Sequence, residues 1–179
     1  LLSHNFNWEL AWHATTLKAK QPMLGVYMPI RNKIFSRLFY KLRSKTGGGL
    51  IKATDVKTEM LPYRELPYAL GLVADQNPGD PSKAIWINYF GRPTPFVTGP
   101  ERAARRENNA VVFAWFSKLR RGYYQMHFEL AVDQPRELEE NELTLMYARF
   151  LEEVIKKSPD TYLWTHRRFK HEWKEGYSR

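Results

Sequence analysis

His4 and Glu9 open the chain with an imidazole and, five positions on, a carboxylate. A neutral imidazole within hydrogen-bond reach can take the proton from a hydroxyl or amine as it attacks a carbonyl. A carboxylate that fixes the ring's tautomer and orientation makes that transfer efficient. The same two residues also read as a loop-edge histidine and a first-turn acid that favours a helix dipole. If Leu1-Leu2 is the tail of a strand and Asn7 caps a helix, His4 lies at the strand's C-terminal edge and Glu9 in the first helical turn, close enough to meet.

A second cluster lies in Asp75-Gln76-Asn77-Pro78-Gly79-Asp80-Pro81, which ends the apolar run Tyr68-Ala69-Leu70-Gly71-Leu72-Val73-Ala74. Such a run reads as a central strand covered on both faces. Polar residues at the C-terminal ends of parallel strands are where α/β sheets place ligands. Asp75 and Gln76 are therefore site candidates, or else they cap a turn.

A third lies near the end, where Tyr162-Leu163-Trp164-Thr165-His166-Arg167-Arg168-Phe169-Lys170 mixes aromatics with cations. Arg167, Arg168 and Lys170 suit phosphate or carboxylate groups, with bidentate geometry available to arginine. A C-terminal aromatic clamp with solvated bases is the other reading.

The elements that must position these groups follow from periodicity. Asn7 to about Lys20 reads as a helix, Met23 to Met28 as a buried strand, and the segment from Asn32 as a second helix with Ile34, Phe35, Leu38, Phe39 and Leu42 on one side. Gly47-Gly48-Gly49 reads as a flexible connection, since no Gly-Lys-Thr/Ser follows it. Asp55 to Glu65 predicts a short helix cut near Leu61 by Pro62. Ile85 to Phe90 predicts a strand closed by Gly91. Thr98-Gly99-Pro100-Glu101 has the form of a capping box opening a helix that carries Arg102, Arg105 and Arg106, whose start would suit an anionic ligand. Two further strands are expected at 110–116 and 123–130, with His127 as a surface or cross-strand residue. The longest helix is expected over Glu137 to about Lys157, with Leu143, Tyr147, Phe150, Leu151, Val154 and Ile155 as its stripe. The order implies one α/β domain over 1–179, built on a mostly parallel central sheet with helices on both faces.

Composition narrows the chemistry. The 179 residues contain no cysteine, which excludes disulfides, a cysteine nucleophile and thiolate metal sites. Apolar residues make up 43%, too many for a disordered chain. The net charge of +9 points to anionic partners: nucleic acid, an anionic membrane surface, phosphorylated small molecules or an acidic carrier protein. No recognised nucleic-acid module appears, so nucleic acid is the weaker choice. His166 and His171 lack zinc-site spacing, and no metal is expected. No Gly-x-Ser-x-Gly elbow occurs, so attack assisted directly by His4 is simpler than an acyl-serine route. No apolar run reaches the roughly 18–20 residues of a membrane-spanning helix. The start, without methionine and inside a predicted strand, suggests that residues are missing upstream.

At His4 to Glu9, Asp75-Gln76, Tyr89-Phe90-Gly91, Thr98-Gly99 and Pro159 to Lys170, the chain resembles the late acyltransferases of lipid A biosynthesis, the lauroyl/myristoyl acyltransferases. These are similar to the wider glycerolipid acyltransferases that carry a His-x4-Asp/Glu motif. The resemblance spans essentially the whole chain. It implies a glycerol-3-phosphate acyltransferase-like fold and transfer of a fatty acyl chain from acyl carrier protein to a hydroxyl of a phosphorylated glycolipid. The place implied is the cytoplasmic face of the bacterial inner membrane, with a membrane anchor in an N-terminal part that this sequence lacks.

On that resemblance His4 is the base, Glu9 its orienter, and Asp75 is structural or lines the site. Basic residues meet lipid phosphates or the carrier, and Arg102, Arg105 and Arg106 are candidates from position and charge. Members often carry an arginine where this chain has Met28. Arg31, with Asn32 beside it, is the candidate replacement, unless the headgroup is recognised differently. Phe6, Trp8 and Trp12 are candidates for an acyl groove, with core packing as their competing use. No cofactor is expected, because a thioester donor already stores the driving energy. The alternatives are the same chemistry on an aminolipid or another glycolipid, and a noncatalytic membrane- or carrier-binding domain.

Overall fold

The computed structural model describes residues 1–5 and 7–178. These fall into two compact units, one of Asn7–Leu72 and one of Leu1–Phe6 with Val73–Arg179. Phe6, assigned above to an acyl groove, lies outside the described residues.

The Asn7–Leu72 unit is a small parallel sheet with helices. Its elements are α1 (Trp8–Lys18), β1 (Met23–Tyr27), α2 (Lys33–Arg43), β2 (Gly49–Lys52), a single turn α3 (Val56–Glu59) and β3 (Ala69–Gly71). The strand order is β2-β1-β3, both pairs parallel, with Gly25 opposite Leu50 and Gly71. Parallel neighbours need a crossover, and α2 supplies it between β1 and β2. Gly25 and Tyr27 share one face of β1 by the two-residue period of a strand. The Trp12 ring of α1 rests on Gly25, and Tyr40 of α2 meets Tyr27 edge to face at 6.1 Å. Any side chain at Gly48 would run into the Trp12 ring and Thr16, so the glycine run admits an indole as well as making a turn.

The other unit contains β4 (Ile85–Tyr89), β5 (Arg92–Phe96), α4 (Gly99–Glu107), β6 (Val111–Arg120), β7 (Tyr123–Val132) and α5 (Glu142–Lys157). β4 and β5 form one antiparallel hairpin, β6 and β7 another. Ile85, Ile87 and Tyr89 of β4, Phe96 of β5, Phe113 of β6, and Leu143, Tyr147 and Leu151 of α5 make its core. The predicted stripe of α5 is the buried one, with Phe150 packed at its margin.

Several expectations change. The mostly parallel central sheet is instead a three-stranded parallel sheet, two antiparallel hairpins and one parallel bridge between Leu2 and Val73. α1 and α2 both reach the Gly25/Tyr27 face of the parallel sheet. The long apolar run pairs as a strand only over Ala69–Gly71. The helix expected from Glu137 begins at Glu142, after a 3-10 turn at Pro135–Glu137. Asn7 takes a left-handed backbone (φ 59°) and its side chain makes no cap.

β5 went unpredicted because Pro93 and Pro95 interrupt it. Two residues apart, they share one edge and sit opposite Asn88 and Trp86, so their missing N–H groups need cost no ladder bond. Phe90 (φ 50°) and Gly91 (φ 75°) make the tight two-residue turn that this hairpin needs.

The capping box is also different. Thr98 has a helical backbone and makes no side-chain cap. Glu101 is buried and reaches the start of α5. Its Oε1 accepts from the Asn141 N–H at 2.7 Å, and its Oε2 from the Thr144 N–H at 2.9 Å and the Thr144 hydroxyl at 2.5 Å. A carboxylate at a helix N-terminus satisfies orphan amides and favours the dipole. Glu101→Ala removes those bonds inside the fold and is expected to cost roughly 2–4 kcal/mol, read as a lower midpoint in urea denaturation. An unchanged midpoint would contradict the cap.

Candidate functional site

Leu2 forms a parallel bridge with Val73, and the Ala74 N–H donates to the Leu2 carbonyl at 3.4 Å. Two residues beyond each bridge partner come His4 and Asp75. By the two-residue period of extended chain they emerge on the same side. His4 Nδ1 lies 2.7 Å from Asp75 Oδ1, with the carboxylate 2% exposed and the imidazole 18%. The Tyr147 hydroxyl donates to the Leu2 carbonyl at 2.6 Å and fixes the bridge from α5. Burial, and then the charge of Asp75, pushes the Tyr147 hydroxyl well above its ordinary range and that of Tyr162 up to about 12. Near Asp75 these phenols stay protonated at neutral pH.

With Nδ1–H donated to Asp75, Nε2 becomes the nitrogen that accepts a proton. This is the geometry of a general base whose tautomer is set by a buried acid. The sequence reading gave that orienting part to Glu9. The carboxylate at Nδ1 belongs to Asp75, which sequence had placed at a strand end without a partner. The bridge at Leu2 is a single residue pair, too short a signal to read from periodicity.

The loop after Asp75 is held by the tail. His166 Nε2 accepts from the Asn77 backbone N–H at 3.1 Å, and the Asn77 side-chain amide donates to the Arg167 carbonyl at 2.9 Å. Arg168 donates to Asn77 Oδ1 at 2.9 Å and to the Pro95 carbonyl at 2.8 Å. Its guanidinium lies 4.3 Å from the centre of the Phe96 ring, a desolvated cation over an aromatic face. Arg168 is buried, so the phosphate contact expected of it is replaced by a clamp between loop and hairpin. Asn77, which sequence reasoning passed over, is the hub of that clamp. Gln76 is half-buried beside it, while Arg167 and Lys170 are exposed.

In the Asn7–Leu72 unit, Glu9 accepts from Arg43 Nε through both oxygens at 3.1 Å. The same guanidinium lies 4.9 Å from the Trp8 ring centre. Trp8 and Glu9 thus tie α1 to the end of α2. The Trp12 N–H donates to the Arg43 carbonyl at 2.7 Å while its ring covers Gly25, the packing use of the two weighed for it. Asn32 caps α2, its Oδ1 accepting from the N–H groups of Ile34 and Phe35. Arg31 lines an open groove of about 940 Å³ with Tyr27, Arg37, Tyr40 and Lys52.

On α4, Arg102 and Arg105 border a depression of about 370 Å³ that also contains Lys83 and Thr98. Arg105 lies 3.9 Å from Glu101 and Arg106 2.6 Å from Glu107, while Arg136 takes the carbonyls of Arg105 and Arg106. His127 bonds Ser117 across the β6–β7 hairpin at 2.8 Å and stacks on Trp115, the cross-strand position expected of it. Among the described residues no cluster of His, Asp and Glu is arranged to hold a metal, and no helix is long and apolar enough to cross a membrane.

Burial, and then the charge of Arg168, lowers the His166 pKa. A histidine neutral in the fold stabilises it fully above the unfolded value of about 6.5, and that contribution is lost as pH falls through the lower folded value. The thermal midpoint is therefore expected to drop on acidification from pH 7.5 to 5. His166→Gln, which keeps an acceptor but cannot titrate, is expected to flatten part of that drop. Superimposable profiles would contradict the coupling.

Residues 1–171 match the family model described as Bacterial lipid A biosynthesis acyltransferase. No curated protein matches the chain.

Proposed function

For a chain that belongs to the bacterial lipid A biosynthesis acyltransferase family, we propose that His4 and Asp75 form the base of an O-acyl transfer from acyl carrier protein to a hydroxyl of a lipid A precursor. His4 Nε2 takes the proton of the acceptor hydroxyl as its oxygen attacks the thioester carbonyl. The carbonyl becomes a tetrahedral oxyanion, the C–S bond breaks, and the imidazolium returns the proton to the departing thiolate. Atoms and charge balance without a cofactor, since the thioester supplies the driving energy.

The observation that carries this reading is the 2.7 Å contact between His4 Nδ1 and a buried carboxylate. Asp75 holds the ring in the useful tautomer and offsets the charge that forms on it. Glu9, engaged by Arg43, fixes the start of α1 inside its own unit. The exposed cations Arg167 and Lys170, together with Arg102 and Arg31, recruit the acidic carrier or the acceptor's phosphates. Arg31 supplies the cation that Met28 cannot. The site works at the cytoplasmic face of the inner membrane, where both substrates meet.

Turnover of labelled acyl carrier protein thioester with a lipid A precursor tests this in the full-length protein. His4→Ala is expected to lose roughly 10²–10⁴ in rate, the typical worth of a positioned base. Asp75→Asn, which keeps the shape but not the charge, is expected to lose about 10²-fold or more. Glu9→Gln is expected to stay within about tenfold of wild type. Undiminished turnover by His4→Ala would overturn the base assignment. Collapse of Glu9→Gln with Asp75→Asn spared would give the orienting part to Glu9.

A further inference from the structure

α2 is amphipathic in an inverted sense. Stepping 100° per residue, Ile34, Leu38, Leu42, Phe35 and Phe39 occupy one continuous arc, and Lys33, Arg37, Lys41, Arg43, Ser36 and Tyr40 the other. In a water-soluble unit the apolar arc turns inward. Here Lys33, Ser36, Arg37 and Tyr40 border the groove against β1 and β2, while Ile34 is 79% exposed and Phe35 53%. None of the eleven residues of α2 is buried. Met28 and Ile30, just before the helix, extend the exposed apolar surface.

The charge along this stretch of sequence has one sign. Between Glu9 and Asp55 the sequence contains nine lysines and arginines and no acidic residue. Glu59, the acid bordering the groove, is paired with Lys52 at 3.2 Å. An apolar arc flanked by unopposed cations complements the one surface that is apolar below and anionic above.

We propose that α2 is an interfacial helix that docks this protein on an anionic phospholipid bilayer. Ile34, Phe35, Leu38 and Leu42 enter the acyl region, and Lys33, Arg37 and Lys41 meet the headgroup phosphates. The groove behind α2, with Arg31 on its rim, then opens at headgroup level. This inference is independent of the chemistry at His4, because it rests on a helix face and predicts binding without turnover.

Vesicle co-sedimentation of the full chain tests it. Wild type is expected to bind vesicles of phosphatidylglycerol and phosphatidylethanolamine, and to bind phosphatidylcholine vesicles far less. The Phe35→Ser/Leu38→Ser double variant removes two exposed side chains, so it is expected to keep its circular dichroism and melting midpoint. Its partition should fall by more than about tenfold. Lys33→Gln/Arg37→Gln is expected to lose the preference for anionic vesicles.

Because the chain has no cysteine, a polarity-sensitive dye on Leu38→Cys reports this position alone. Its emission is expected to shift to the blue on adding anionic vesicles. Vesicle binding unchanged by the Ser substitutions, or no blue shift from the dye, would overturn the proposal. So would a vesicle-free dimer that the Ser substitutions abolish, since a second copy would then be the occupant.

Discussion

A single parallel bridge, Leu2 to Val73, sets the geometry on which the proposed base depends. Two residues past that bridge an imidazole and a carboxylate meet on one side of the paired chains, at 2.7 Å and largely out of water. Desolvation strengthens such a hydrogen bond and raises the cost of breaking it. Contacts from α5, α4 and the tail support this arrangement. Tyr147 holds the Leu2 carbonyl from α5, and Glu101 secures the start of α5 from α4. The tail secures the loop that follows Asp75 through His166 and Arg168.

The cations divide by burial into two uses. Arg168 is sealed between Asn77, the Pro95 carbonyl and the Phe96 ring, where it organises chain rather than ligand. Pro95 has no N–H to satisfy at that edge, and its carbonyl is the acceptor that Arg168 takes. Arg43 likewise joins Glu9 and Trp8 across two helices. Lys33, Arg37 and Lys41 remain exposed, on a helix whose apolar arc also faces out. Net positive charge alone does not separate these uses. Which cations are available to an anionic partner depends on which are desolvated by neighbours remote in sequence.

That division explains what the sequence made legible. Periodicity located α2 and the buried stripe of α5, because each depends on neighbours three and four residues away. The family was legible from motif blocks spread along the chain, and residues 1–171 match its model. The Asp75 partner was hidden, because it depends on a one-residue bridge between segments some seventy positions apart. The capping box failed for a related reason. Glu101 had a local partner by spacing and a stronger remote one, the bare amides of α5. β5 was missed because proline counts against a strand wherever its edge is not known.

Nitrogen-15 NMR reads the tautomer of the His4 ring. In the neutral ring Nδ1 is expected to be protonated and Nε2 unprotonated, with the balance moving towards the other tautomer in Asp75→Asn. A neutral ring carrying its proton on Nε2, or a tautomer indifferent to Asp75, would contradict the pairing of His4 with Asp75.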